Sequence, residues 1–281
     1  MNSNRIISIE GNIGSGKSTL LEELKHHLGN RFSGINIIFL PEPVDDWSSI
    51  TDENDTQILK LFYNDTAKYA FSFQIMAYIS RLALLKKTIN ENSNSIIITE
   101  RSLFTDKFVF AKMLYDNKDI SEVDYKIYLK WFDVFATDFP IDKVIYVKTS
   151  PTVCLSRVNT RSRDGESSIS LDYLTSCHDY HEKMLEQTKD CFCKKQLIIN
   201  GDDDINQNIT IMLDRFKLIE DFLFKPKSPS SPAISTSSSI FSFSYDSERG
   251  IPSPSRIKSY KSFNSFNSLQ SLSEKFGEEN V

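Results

Sequence analysis

Gly11-Asn12-Ile13-Gly14-Ser15-Gly16-Lys17-Ser18 fills every position of the G-x-x-x-x-G-K-[ST] pattern, with Thr19 directly after it. Glycines at these positions let the backbone curl until successive N–H groups point inward at phosphate oxygens. A helix opening at Lys17 adds the positive end of its dipole. The Lys17 ammonium reaches the β- and γ-phosphates of a nucleoside triphosphate, and the Ser18 hydroxyl is a ligand for Mg²⁺. Such a loop binds a nucleotide and leaves the acceptor of any phosphoryl group undefined.

Two further strand ends carry reactive side chains. Leu40-Pro41-Glu42-Pro43-Val44-Asp45-Asp46-Trp47 follows an apolar run. In open α/β sheets ligands bind beyond the carboxyl ends of the strands. Glu42 therefore points into the cleft, where a carboxylate suits a general base for an attacking hydroxyl; a solvated loop acid is the alternative. Another apolar run ends in Glu100-Arg101-Ser102. Glu100 is placed to hold Mg²⁺ directly or through water, and Arg101 to neutralise charge on a transferred phosphoryl group. An ordinary ion pair at a strand end is the alternative there.

The elements that must position these groups follow from periodicity. Ile6–Ile9, Asn36–Leu40, Ser95–Thr99, Lys143–Val147 and Gln196–Ile199 are short, β-branched and nearly continuous in hydrophobicity. That is the pattern of parallel strands buried on both faces. Helical candidates lie between them at Lys17–Leu28, Asp55–Asn90, Leu103–Tyr115, Ser121–Ala136, Pro151–Thr160, Leu171–Lys189 and Ile205–Phe222. The alternation predicts an α/β fold, a doubly wound and mainly five-stranded parallel sheet flanked by helices.

A net charge of −5 gives no global attraction to nucleic acid or to an anionic membrane, so neither is expected as a partner. No apolar run approaches the roughly 18 residues of a membrane span. The β-type run at Arg5 begins too early for a signal or transit peptide to precede it. Cys154, Cys177, Cys191 and Cys193 read as free thiols of a reducing, cytoplasmic compartment, although the C-x-C pair is a possible metal fragment. His178 and His181 read as surface or satisfied core histidines. After Phe224 the composition shifts to about one-third serine with scattered prolines, which predicts one folded domain over 1–224 and a disordered Ser-rich tail over 225–281. Ser228, Ser231 and Ser253 each precede proline there, as chance allows in such a tail.

Taken together, Gly11–Thr19, Glu42-Pro43-Val44 with Trp47, Phe71-Ser72-Phe73-Gln74, Glu100-Arg101-Ser102 and the arginine-rich stretch at 157–163 resemble the deoxyribonucleoside kinases, a P-loop kinase family. The resemblance covers about residues 5–220 and is strongest to the deoxycytidine, deoxyguanosine and deoxyadenosine kinases. It implies ATP as donor with Mg²⁺, a deoxyribonucleoside as acceptor, a role in nucleotide salvage, and a helix-packed homodimer.

It also implies roles for residues. Glu42 is the base for the 5′-hydroxyl, with Arg101 beside it. Gln74 offers a donor and an acceptor to a base edge, between aromatic walls from Trp47, Phe73 and Phe110. Tyr63 and Glu166 bind the sugar 3′-hydroxyl, with Asp164 a competing acid because Gly165 stands where relatives carry a second one. Arg81 and Asp106 approach the base and disfavour a pyrimidine 5-methyl group, hence thymidine. Arg157, Arg161 and Arg163 form a lid, the first two one turn apart on a shared helix face, closing over the phosphates; a solvated basic face is the alternative. Asn200–Asp204 resembles the loop that frames the donor nucleobase. Two rivals share the phosphate loop: a thymidylate-type monophosphate kinase, and a nucleotide-binding interaction protein without catalysis.

Overall fold

The computed structural model describes residues 4–29, 34–161, 163, 165–188, 191–203 and 209–225. The serine-rich tail, Asp164 and Asp204 lie outside the described residues.

Five strands form one all-parallel sheet: β1 (Arg5–Glu10), β2 (Asn36–Leu40), β3 (Ser95–Glu100), β4 (Lys143–Lys148) and β5 (Gln196–Asn200), in the order β2-β3-β1-β4-β5. β3 is buried along its whole length, as the run Ser-Ile-Ile-Ile-Thr-Glu requires of a strand covered on both faces. The chain leaves β1 to one side for β2 and β3, then crosses to the other for β4 and β5. The change of direction thus falls at β1, whose carboxyl end carries the glycine loop.

Alternate strand residues feed two cores. Ile7, Ile9, Ile96, Ile98, Ile145 and Ile199 pack beneath α1 (Lys17–Leu28) and the last helix, α10 (Ile209–Phe224). Ile6, Ile97, Val144 and Tyr146 face α4 (Thr66–Glu91) and α9 (Leu171–Leu185) on the other side. Further helices complete that side and the rim: α2 (Val44–Ser48), α3 (Ile58–Asn64), α5 (Leu103–Thr105), α6 (Lys112–Asp116), α7 (Glu122–Phe135) and α8 (Pro151–Arg161).

Several boundaries differ from the sequence pattern. The long helix expected over Asp55–Asn90 is two helices. Asp65 breaks it by leaving helical backbone angles and accepting the Lys68 N–H at 3.2 Å, an N-cap in the middle of the apolar pattern. The helix expected over Leu103–Tyr115 holds a π-helical segment, Asp106–Ala111, between α5 and α6. The helix expected to reach Lys189 stops at Leu185. Val44–Ser48, outside the expected helices, makes one short helix. The start expected at Ile205 lies outside the described residues.

Candidate active site

A cavity of about 440 Å³ opens along the carboxyl ends of β1, β2 and β3. At one end sits the glycine loop. Gly14 has φ +75°, and a Cβ there would lie 2.5 Å from the Cys154 carbonyl oxygen on α8, so only glycine fits against that helix. Asn12 does not face the cavity: its amide donates to the Leu174 carbonyl at 2.8 Å and accepts from Ile13 N–H at 2.8 Å, bracing the loop from behind. Ser15 Oγ is buried without a hydrogen-bond partner among the described residues, an acceptor and donor left open within the loop. Lys17 is buried with Nζ donating to Asn12 O at 2.6 Å. Burial, and then the nearby Arg101 charge, lower its pKa to about 8.

Ser18 Oγ donates to Glu100 Oε1 at 2.6 Å. The two hard oxygen donors named for Mg²⁺ thus lie together beside the phosphate loop, a donor set that fits an ion keeping most of its shell as water and phosphate oxygens.

The other end is a buried charge network. Arg101 Nη1 donates to both Glu42 oxygens, at 2.8 and 2.9 Å. Arg81 Nη2 donates to Glu42 Oε1 at 2.9 Å, its Nε to Asp106 Oδ2 at 3.0 Å, and its Nη1 to the Glu100 carbonyl at 2.7 Å. Burial alone would raise the Glu42 pKa, but the Arg101 and Arg81 charges outweigh it and hold the carboxyl at about 2. Asp106 is bonded by Arg81 but not by Arg101, and burial pushes it up to about 6 against the Arg81 charge. Arg101 itself sits at φ +61°, a costly backbone angle for a side chain, and its guanidinium stacks 5.2 Å over the Phe110 ring.

Gln74 lines the same cavity, with Oε1 buried and lacking a partner among the described residues. A buried amide oxygen in this state costs stability unless a ligand donates to it. Around it stand Trp47, whose indole N–H donates to Ser80 Oγ at 2.9 Å, and Phe73, edge-on to Trp47 at 5.5 Å. Phe110 and Tyr63 complete the wall. Burial, then the Glu166 charge, push the Tyr63 phenol well above its usual range. Glu166 is buried, accepting from Arg161 at 2.5 Å and from Arg163 at 3.4 Å. Gly165 has φ +88°, and a Cβ there would press within 3.1 Å of Lys60 Cα. That explains why the position holds no second acid.

Arg157 lines the cavity beside the phosphate loop. In this conformation its guanidinium ties down the turn after β5 through Gly201 O at 2.7 Å and Asp202 O at 3.3 Å. Of the residues given catalytic, ATP-, substrate- or Mg²⁺-binding roles from the sequence, all those described except Gly11 and Asn12 therefore line this one cavity, and of the loop framing the donor nucleobase Gly201 and Asp203 do. Sequence reasoning missed Tyr173, Leu59, Phe62 and Ala77 in its walls, and Arg215, which bonds Asn200 O from the buried face of α10. Arg215 had a signal: a lone arginine at core spacing beside Met212, Phe216 and Ile219. The others look like ordinary helix core.

The two histidines correct the sequence reading in part. His181 is fully buried, and burial lowers its pKa to about 3. Nδ1 lies 2.7 Å from Cys177 O, while Nε2 finds no partner among the described residues.

A sequence model of the family described as deoxynucleoside kinase matches residues 7–222. The chain belongs to the deoxynucleoside kinase family. A probable deoxycytidine kinase of fowlpox virus is 35% identical over 223 residues, covering 76% of this chain and 88% of the relative. Human deoxycytidine kinase is 32% identical over 199 residues, covering 64% and 74%. Human mitochondrial thymidine kinase 2 is 31% identical over 182 residues, covering 64% of each. This kinase has no described helix long and apolar enough to cross a membrane.

Proposed function

We propose that this kinase transfers the γ-phosphate of ATP to the 5′-hydroxyl of deoxyadenosine, deoxyguanosine or deoxycytidine in preference to thymidine, as a salvage step. Deoxycytidine leads among the three because the fowlpox and human relatives carry that activity in their names. The observation that carries the reading is that Glu42 lines the same cavity as the phosphate loop and the Gln74 oxygen, which has no partner among the described residues.

Gln74 reads the base edge while Trp47, Phe73 and Phe110 hold its faces. Tyr63 and Glu166 receive the 3′-hydroxyl. That leaves the 5′-hydroxyl against Glu42, which accepts its proton as the new P–O bond forms and the bond to the ADP oxygen breaks. With a pKa near 2, Glu42 is a weak base in the free protein. It orients the hydroxyl early and takes the proton only as the nucleophile becomes acidic late in transfer, as suits a loose transition state. Lys17, Arg101, Arg161 and Arg163 offset charge on the transferred group. Ser18 and Glu100 would hold Mg²⁺, which would supply charge neutralisation at the triphosphate. Arg81 and Asp106 crowd the position of a pyrimidine 5-methyl group.

A monophosphate acceptor is disfavoured, because both arginines near Glu42 already have carboxylate partners. Four free thiols suit a cytoplasmic setting. Homodimerisation is supported by Val123, Ile127, Trp131 and Val134, exposed along one face of α7 beside Ile79 of α4. A mass measurement at micromolar concentration tests it, and a clean monomer would sink it. For the reaction, initial rates with ATP–Mg²⁺ are compared across deoxyadenosine, deoxyguanosine, deoxycytidine, thymidine and dTMP. Fast turnover of one of the first three supports the reading; dTMP alone would overturn it.

A further inference from the structure

Glu10, the last residue of β1, has no place in the chemistry above, yet it is fully buried within the site's foundations. Both its oxygens are taken by hydroxyls: Ser102 Oγ donates to Oε1 at 2.6 Å, and Thr105 Oγ1 donates to Oε2. Both carboxyl oxygens are therefore engaged by side chains of the turn that follows β3. Burying a carboxyl group with no bonded cation among the described residues is costly, and such a group persists where it holds something in place. Its two partners flank the first turn of α5, and Ser102 is also the N-cap of that helix. Ser102 directly follows Arg101, whose backbone stands at φ +61°.

The strained arginine is thus pinned on three sides. Its N–H donates to Ile9 O at 2.9 Å. Its carbonyl accepts from Thr99 Oγ1 at 2.7 Å. Its successor is bolted to Glu10. Ile9 pairs with Glu100 across the β1–β3 ladder, so the end of β1 and the turn carrying Arg101 face each other. Strain of this kind endures only where the surroundings over-determine it.

We propose that Glu10 is a positioning residue for the phosphoryl-transfer step: its buried carboxylate clamps Ser102 and Thr105 and so fixes Arg101 in the backbone conformation that carries its guanidinium onto Glu42. The inference rests on the reading of Arg101 as a group that acts on the transferred phosphate.

The test is a double-mutant cycle with Glu10→Gln, Arg101→Lys and both together, measured as kcat and as KM for ATP and for deoxycytidine. Circular dichroism confirms that each variant is folded at the assay temperature. E10Q keeps the shape and removes the charge and one acceptor. It is expected to lower kcat about ten- to a hundredfold, as small misplacements at a reacting centre do, with both KM values nearly unchanged. In the R101K background the same change should cost less than about threefold, because residues acting through one another are not additive. Thr105→Val, nearly isosteric, removes one clamp and should lower kcat by a smaller factor, so it carries the test if E10Q does not fold. A slow R101K together with an E10Q or T105V of wild-type kcat, or fully additive effects, overturns the inference alone. A wild-type kcat in R101K overturns the Arg101 reading and the inference with it.

Discussion

The two ends of the cavity are built by opposite means. The phosphate end is a backbone device, eight consecutive residues whose N–H groups and left-handed glycines do the shaping, with one lysine added. The acceptor end is a side-chain device. Glu42 comes from the end of β2, Arg81 from α4, Arg101 from the end of β3 and Asp106 from the π segment, and no two are neighbours in sequence. The first should be intolerant of a single added methyl group and indifferent to distant charge. The second should tolerate changes of volume but not of charge.

The sharpest break of the acceptor end is Glu42→Gln, which keeps volume and removes the base. Single-turnover rates are expected to fall about 10²- to 10⁴-fold, with nucleoside affinity changed far less. At the phosphate end Gly14→Ala adds one carbon against the Cys154 carbonyl. The KM for ATP should rise more than about tenfold, given the strain of a side chain at that φ and the displaced loop, while the KM for nucleoside stays constant. If G14A raised both equally, the two ends would not be separable. Next in size, Arg81→Met with Asp106→Ala removes the ion pair as a unit. The ratio of thymidine to deoxycytidine kcat/KM should rise about tenfold or more, the scale on which one methyl group is discriminated. An unchanged ratio would place base selection elsewhere in the cavity.

Titration separates the ends again. Lys17 loses its proton as pH rises through about 8 in the free kinase, mainly because it is buried. A bound triphosphate restores that proton. ATP affinity measured by calorimetry should therefore weaken above that pH by up to about tenfold per unit, with proton uptake on binding. On the acid side Glu42, held near 2 against its burial by Arg101 and Arg81, stays ionised and sets no acid limb across the assay range. The smallest effect expected is that of Gly165→Ala. Forcing a Cβ into φ +88° beside Lys60 should cost about 1 kcal/mol in urea unfolding, with kcat altered only as the neighbouring Glu166 shifts.

The same contrast explains what could be read from sequence. The glycine loop is contiguous and its geometry is local, so its residue types announce it. The five strands were legible because a buried parallel sheet demands uninterrupted β-branched runs. The break at Asp65 was not: an acid in an amphipathic pattern reads as one more solvated position until its side chain is seen capping α4. Tyr173 and Phe62 were invisible for a related reason, since a helix residue facing a cavity and one facing a core obey the same periodicity. Glu42 and Arg101 could be placed at strand ends from sequence. Their mutual bonds, and the sharing of Arg81 between Glu42 and Asp106, depend on how α4 packs across the sheet.

The π-helical segment Asp106–Ala111 sets a limit of another kind. Within six residues it turns Asp106 and Phe110 toward the nucleoside end of the cavity while Val109 and Ala111 enter the core, and α6 continues directly from it with Met113 and Leu114 fully buried. A wide turn of this sort amounts to one residue more than an α-helix would use for the same path. Deleting a residue between Lys107 and Val109 would restore regular winding over the same path, leaving Asp106 and Met113 in place and turning the residues between them by about 100° each. Phe110 could then no longer face the cavity while Val109 and Ala111 enter the core. Length at this point is thus under tighter constraint than the identity of any single residue in it: substitutions can be absorbed one at a time, whereas a lost codon would remove the wide turn that sends Phe110 to the cavity and its neighbours to the core.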